Sequence, residues 1–397
     1  MDIDPSKGIT IILPCLNEEA SIAPVIEKAR RGAAKLNLAV EILVVDNGST
    51  DRSAALAVAA GARVIREPHP GYGSALRAGF SQATYDIHVM ADSDLSYDLE
   101  ALADLVQPIL EGKADFVIGN RMRSIQPGAM PKLHQYLGNP LLSLILRIMF
   151  HNNAVHDAHC GMRAITRAAF RKLRCVTTGM EFASEMVVRA IRCNLRITER
   201  DISYHPRLGE SKLRSFRDGW RHLRFMMLHS PTVILLVPGL LLWGIGLIIS
   251  LPLAFGPIMI KGRALDMHCM LIGGVLNITS IQIITMGLLA KAYGHLSGLH
   301  EDPVVLWFYR WFTFEKACIV SGVVFALGLL IALGVMFEWM FSGFGPLNQQ
   351  RLLFLGLLFL VNGVQVGAAS FLFSIMALPR HLDQLTPDIE DTGILDT

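Results

Sequence analysis

Two aspartates separated by a single serine, Asp92 and Asp94, lie in the stretch IHVMADSDLSYD that runs from Ile87 to Asp98. Carboxylates so close together suit a divalent cation held against a diphosphate, because hard cations take oxygen ligands. The run before them, Ile87, Val89 and Met90, has the length and apolarity of a buried strand. A strand in a parallel sheet ends at its carboxyl edge in a polar turn where ligands bind. Asp92, Ser93 and Asp94 would equally serve as N-caps for a helix over residues 97–110. The surrounding elements decide between the two.

Of the 397 residues, 52% are apolar and only 18% charged, too hydrophobic for an ordinary soluble enzyme. The first half nevertheless patterns as mixed α/β, so the apolar excess must be localised. A formal net charge of +2 provides no global field for nucleic acid. The six cysteines show no paired spacing, which fits a reducing compartment and argues against a disulfide framework or a zinc site. The opening MDIDPSKGIT lacks a basic region followed by an apolar one. No signal peptide is expected.

Ile9 to Leu13 is a buried-strand run ending at Pro14, and its turn supplies Asn17, Glu18 and Glu19 before a helical pattern to about Asn37. Glu41 to Val45 is a second strand, ending in Asp46, with a helix from Ser53 to Ala60. A third strand, Arg63 to Arg66, leads to the small Gly71-Tyr72-Gly73-Ser74 loop, and another, Phe116 to Ile118, ends in Gly119-Asn120-Arg121. Strands alternating with helices predict an open, mainly parallel sheet over residues 1–210. Its carboxyl edge would gather Pro14, Glu18, Asp46, Asp92 and Asp94 into one crevice, the expected place for a nucleotide.

The ordered motifs LPCLNEE, VVDNGSTD, MADSDL, GNR, DAHCGMRA and RLGESKL resemble the family 2 glycosyltransferases, in the branch that moves a hexose from a nucleotide sugar to a polyprenyl phosphate. The resemblance implies a glycosyltransferase A-type fold, with Pro14, Asn17, Glu18 and Asp46 at the nucleoside. Asp92 and Asp94 would bind Mg²⁺ or Mn²⁺ and the diphosphate, with Ser93 between them. Ser96 stands where relatives carry a glutamine. Asp157 occupies the place of the family's base and Arg163 that of an arginine near the phosphates, although Asp157 could instead orient Arg163. Glu185 matches a glutamate on the acceptor side. Arg207, Ser211 and Lys212 match a basic closing loop.

The chemistry can also be argued from the reactants. A phosphate monoester has a second pKa of about 6 and is a competent nucleophile near neutrality, so it hardly needs a base. The harder requirements are neutralising the leaving diphosphate and gathering two anionic substrates. Arg121, Arg163, Arg207, Lys212 and Arg214 are the candidates to meet them. His151, His156 and His159 flank Asp157 without a ligand pattern, so a histidine metal site is not expected. Pro140 to Phe150 is strongly apolar but too short to span a bilayer, and reads as a core helix or one touching the lipid tail.

Residues 211–231 place Leu213, Phe216, Trp220, Leu223 and Met227 at helical spacing beside Arg214, Arg217, Arg221 and Arg224. That is the pattern of a helix lying in the headgroup layer, or of one packed on the catalytic domain. Residues 232–378 then contain four apolar runs, about 233–255, 270–290, 318–339 and 352–376, each near the roughly 20 residues a crossing requires. Lys291, Arg310, Lys316 and Arg380 fall on the side of the N-terminal domain and Lys261, Arg263 and Arg351 on the other, so the positive-inside rule puts the catalytic domain in the cytoplasm. An aromatic cluster around Trp307 to Phe314 is expected at the interface. Asn277, Gln282, Asn362 and Gln365 lie inside spans and are expected to join helices by hydrogen bonds. The tail, 379–397, is acidic.

The expectation is therefore an inverting, metal-dependent hexosyltransferase using a UDP-sugar or GDP-mannose donor and a polyprenyl phosphate acceptor in the membrane. The resemblance adds a homo-oligomer. A processive polysaccharide synthase is less favoured because no Gln-x-x-Arg-Trp motif occurs, and a silent nucleotide-fold scaffold because Asp92, Asp94, Asp157 and Arg163 occur together.

Overall fold

In a computed structural model the described residues are 8–209, 215–296, 305, 307, 313–347 and 349–385. Ser211, Lys212, Arg214, most of the aromatic cluster and the end of the acidic tail lie outside them. The chain divides into two compact units, Met1–Leu228 and His229–Thr397.

The first unit is built on seven strands in the order β3-β2-β1-β4-β6-β5-β7. These are β1 (Gly8–Cys15), β2 (Ala39–Asp46), β3 (Arg63–Arg66), β4 (Ile87–Met90), β5 (Phe116–Asn120), β6 (Arg163–Thr166) and β7 (Ile197–Asp201). All neighbours pair in parallel except β6, which runs antiparallel to both β4 and β5. The inner strands read as continuous apolar runs because both faces are covered: Ile9, Ile11, Ile12, Leu13, Leu43, Val44 and Val89 are fully buried. The covering helices are α1 (Ile22–Ala34), α2 (Ser53–Ala59), α3 (Tyr72–Gln82), α4 (Leu102–Leu110), α5 (Asn139–Phe150), α6 (Arg167–Leu173), α7 (Phe182–Arg192) and α8 (Ser215–Leu228).

Two details bear on the site. The helix expected from residue 97 starts later: a short 3₁₀ turn, Leu99–Ala101, precedes α4, and its N-cap is Asp98, whose side chain accepts from the Glu100 N–H. Asp92, Ser93 and Asp94 cap nothing there and are left for other work. Helix α8 belongs to the first unit and packs against α5 and α7, so its amphipathic pattern serves the domain on at least one face. Phe216 and Trp220 remain exposed.

The second unit has four helices long and apolar enough to cross a membrane, Thr232–Ala254, Met267–Leu296, Phe314–Phe341 and Gln350–Met376. Small residues bring them together, since a Cβ on Gly246 would lie 2.9 Å from the Gly273 carbonyl and one on Gly328 would lie 2.6 Å from the Gly356 carbonyl. Three of the four expected polar residues join them: Asn277 Nδ2 donates to Ser250 Oγ at 3.4 Å, and Gln365 Nε2 donates to Gln282 Oε1 at 3.4 Å, whereas Asn362 Oδ1 has no hydrogen-bond partner among the described residues.

Candidate active site

The carboxyl ends of β1, β2 and β4 converge, and hydrogen bonds lock their turns to one another. Ser93 Oγ donates to the Pro14 carbonyl at 2.8 Å, tying the Asp-x-Asp turn to β1. Asn17, with a φ of 51°, accepts from the Thr50 N–H at 2.8 Å and donates its own N–H to Ser49 Oγ at 3.0 Å. The Glu18 N–H reaches Ser53 Oγ at 2.8 Å, and Asp46 Oδ1 accepts from the Ser49 N–H at 3.0 Å. These bonds make the β1 and β2 turns one rigid rim. Pro14, Asn17, Glu18, Asp46, Asp92, Ser93 and Asp94 are thereby brought together.

Arg207 completes the group from far along the chain. Its Nη2 lies 3.6 Å from Glu18 Oε1 and its Nη1 3.5 Å from Asp94 Oδ2. The Leu208 N–H donates to the Asp94 carbonyl at 3.0 Å, which fixes that approach. Asp94 Oδ1 accepts from the Ser96 N–H at 3.0 Å. Asp92 Oδ1 accepts from the Tyr72 hydroxyl at 2.9 Å. Burial, and then the neighbouring Asp94 carboxylate, push Asp92 up to about 6, because two carboxylates so close resist joint ionisation. A Cβ on Gly161 would lie 2.8 Å from Asp92 Oδ2, so only glycine admits the carboxylate there.

Two hard oxygen donors at a strand edge fit Mg²⁺ or Mn²⁺, ions that complete their coordination with water and substrate phosphates. No cluster of three or more acidic, histidine or cysteine side chains suited to a metal occurs among the described residues, and Ser96 is fully buried. Among those residues, Asp92 and Asp94 are the two carboxylates that the end of β4 presents side by side.

A second group lies beside the first. Arg121 grips Asp157 in a bidentate pair, Nε to Oδ2 at 2.7 Å and Nη2 to Oδ1 at 2.8 Å, and donates its backbone N–H to the same Oδ2 at 3.1 Å. Asp157 is fully buried and Arg121 nearly so. Tyr97 Oη accepts from the Gly161 N–H at 2.7 Å and lies 3.4 Å from Arg121 Nη1. Tyr204 lies under the Arg121 guanidinium at 5.3 Å. Asp157 therefore has the geometry of a positioning group for Arg121, not for Arg163 and not of an open proton acceptor.

Two other expectations are corrected. The Arg163 side chain is fully buried, and its Nε, Nη1 and Nη2 donate to the carbonyls of Cys160, Ala183 and Ala158 at 2.7 to 2.8 Å. With its donors spent on backbone, it braces the 157–163 turn and does not reach a phosphate. Glu185 is likewise fully buried. It accepts from the Val176 and Thr177 N–H groups, from Thr177 Oγ1 and from Arg189 Nε at 2.6 to 3.0 Å. It holds the 176–178 segment, whose Thr178 carbonyl accepts from the Ser74 N–H, and does not face an acceptor. Ser211, Lys212 and Arg214 fall outside the described residues.

Sequence reasoning missed several residues. Asn47 Oδ1 accepts from the Gly71 N–H at 2.7 Å while its Nδ2 donates to the carbonyls of Glu67 and His69, ordering the loop that delivers Tyr72. Ser184 Oγ lies 2.7 Å from His222 Nδ1 and 3.1 Å from His159 Nε2, a buried polar joint between α7, α8 and the Asp157 turn. Nothing in the spacing of Ser184, His159 and His222 announces it.

Residues 10–174 match the description Glycosyl transferase family 2, and residues 288–377 match Glycosyltransferase family 2 C-terminal transmembrane region. The low-salt glycan biosynthesis hexosyltransferase Agl6 of Haloferax volcanii is 36% identical over 372 residues, 94% of this chain and 89% of its own. A dolichyl-phosphate hexose transferase of the same organism is 32% identical over 216 residues, 53% of this chain and 89% of its own. The crystal structure of glucosyl-3-phosphoglycerate synthase from Mycobacterium tuberculosis matches with a TM-score of 0.46 and 24% identity, over 56% of this chain and 80% of that one.

Proposed function

Because the chain belongs to the family 2 glycosyltransferases, we propose that it transfers a hexose, with inversion, from a nucleotide-diphosphate sugar to a polyprenyl phosphate at the cytoplasmic membrane face. The observation that carries this is the acidic crevice of Glu18, Asp92 and Asp94 bridged by Arg207, in a chain that continues into four membrane-length helices. A soluble acceptor would not require such an anchor, whereas a lipid phosphate is confined to the surface where the anchor holds the enzyme.

The rim of Asn17, Glu18 and Asp46 is preorganised to receive the nucleoside. Asp92 and Asp94 would hold a divalent cation, which when bound supplies positive charge to the departing diphosphate. Arg207 adds positive charge at the same place. Its contacts to Glu18 and Asp94 are looser than hydrogen bonds, so its guanidinium is available to phosphate oxygens. Arg121, fixed by Asp157, adds positive potential without moving. The acceptor phosphate, largely dianionic at neutral pH with a second pKa of about 6, attacks without a dedicated base. Lys291, Lys316 and Arg380, counted by the positive-inside rule, support the cytoplasmic orientation.

The test uses purified protein in lipid with undecaprenyl phosphate and Mg²⁺ or Mn²⁺, offered labelled UDP-glucose, UDP-N-acetylglucosamine and GDP-mannose in parallel. Transfer of label into the organic phase from one donor, lost with chelator and in Asp94→Asn, is the expected result. Label only in water-soluble polymer, or none from any donor, would sink the proposal.

A further inference from the structure

A second concave site lies behind the turn that delivers Tyr72, on the flank of the sheet. It is a groove of about 770 Å³ between α3, α6 and residues 174–178, a volume in the range of small-molecule sites. Its charged lining is one-sided: Arg77, Arg167, Arg171 and Arg174 stand against Glu67 alone. Arg167 is engaged by the carbonyls of Ala83 and Tyr85 and by Asp86, and Arg77 uses Nη1 on the Val176 carbonyl. The Arg171 and Arg174 guanidinium groups take no partner among the described residues.

Two buried polar atoms in the same lining also lack partners. Ser74 is 6% exposed and His88 1%, yet neither Ser74 Oγ nor His88 Nδ1 has a hydrogen-bond partner among the described residues. His88 Nε2 lies 2.9 Å from the Tyr85 carbonyl, to which it can only donate, so Nδ1 carries the lone pair and is an acceptor. Burying such groups unpaired is costly, a cost that a ligand with matching groups would remove. Beside them, Phe80 and Phe170 stack at 3.9 Å between centroids and give the groove an apolar floor.

We propose that this groove binds a phosphate-bearing molecule, distinct from the donor and acceptor of the acidic crevice. The phosphoryl group takes Arg171, Arg174 and the free donors of Arg77, with Ser74 Oγ donating to it. The body of the ligand lies on the Phe80–Phe170 stack and offers a hydroxyl or N–H to His88 Nδ1. The groove and the crevice share one wall, because Tyr72 bonds Asp92 on one side while Ser74, two residues later, lines the groove on the other. The phosphate can come from a soluble monoester or from an anionic lipid headgroup.

The test measures binding of phenyl phosphate and of inorganic phosphate to the full chain in zwitterionic nanodiscs with chelator present, by ³¹P NMR titration. Phenyl phosphate should bind at least about tenfold more tightly than inorganic phosphate, since only it reaches the aromatic floor. Arg171→Gln with Arg174→Gln, on the exposed face of α6 and its C-terminus, should weaken it at least tenfold, and Arg207→Gln should leave it unchanged. Anionic phospholipid in the nanodisc that displaces phenyl phosphate would assign the source to lipid; no displacement would assign a soluble ester. Absence of saturable binding, binding indifferent to the Arg171 and Arg174 changes, or binding lost in Arg207→Gln would overturn the site. These readouts need no turnover, so they stand apart from success or failure of the transfer assay.

Discussion

Both carboxylate oxygens of Asp157 are held by the guanidinium of Arg121, at 2.7 and 2.8 Å, in a pair almost wholly withdrawn from water. Removing one charge leaves the other buried and uncompensated. Asp157→Asn is therefore expected to lower the stability of the first unit by about 3–5 kcal/mol and to lose transfer in parallel. Asp157→Asn combined with Arg121→Met should recover part of the stability but none of the activity. Thermal unfolding followed by fluorescence, beside the transfer assay, checks both.

Arg207 competes with any cation for Asp94, because its Nη1 stands 3.5 Å from Oδ2. In Arg207→Ala, Mn²⁺ is expected to bind the nucleotide-free protein several-fold more tightly while transfer falls about 10²-fold, the scale of losing one charge-stabilising donor. Mn²⁺ electron paramagnetic resonance titration measures the first quantity. Weaker Mn²⁺ binding in the variant would contradict the placement of the cation between Asp92 and Asp94.

Acid should destabilise the first unit before its ordinary carboxylates titrate. Burial, with Arg167 nearby, pushes His88 down to about 4, and burial pushes His222 down to about 4. His159 is shifted the same way by burial and by His222. Each folded-state value lies below the unfolded value of about 6.5, so the unfolded chain binds more protons between them. The histidine contribution to stability is thus full above about pH 6.5 and declines as pH falls toward 4, by on the order of 3 kcal/mol for each of His88 and His222. Urea midpoints at pH 7.5 and 5 report the slope, and His222→Gln should flatten it.

Glu185 holds the segment behind Tyr72 by accepting from two backbone N–H groups, Thr177 Oγ1 and Arg189. Glu185→Gln keeps the shape but strands the buried Arg189 charge. The amides of Val176 and Thr177 should exchange with deuterium at least about tenfold faster, with a loss of roughly 3 kcal/mol or more in stability. Unchanged exchange at those amides would show that the segment is held by other means.

What the sequence made legible was what periodicity and edge chemistry announce. Apolar runs ending in Pro14, Asp46, Asp92 and Asn120 were visible as strands because buried parallel strands are continuously hydrophobic, and the spans because membrane helices must be long. Strand β6 was not, since it is four residues that open on Arg163, and a charged residue at a strand start reads as loop. Strand β7, ITERD, is polar because it closes one edge of the sheet. Arg163 and Glu185 are assigned to substrate by the family positions they match, Arg163 also by its charge. Only the fold reveals that backbone carbonyls and N–H groups had already taken them.

The reversed strand has a consequence for how the protein is made. β4 and β5 are not neighbours, because β6 lies between them, although the chain produces it after both. While the ribosome has delivered only the residues before Arg163, the strand that leads into Asp92 and Asp94 has an unpaired edge and β5 has two, and such edges invite pairing with other chains. A nascent chain stalled there would carry its two aspartates on an open sheet. Only when residues 163–166 slot in from the opposite direction do the two halves of the sheet become one, so the acidic crevice is finished late, after most of the domain has emerged.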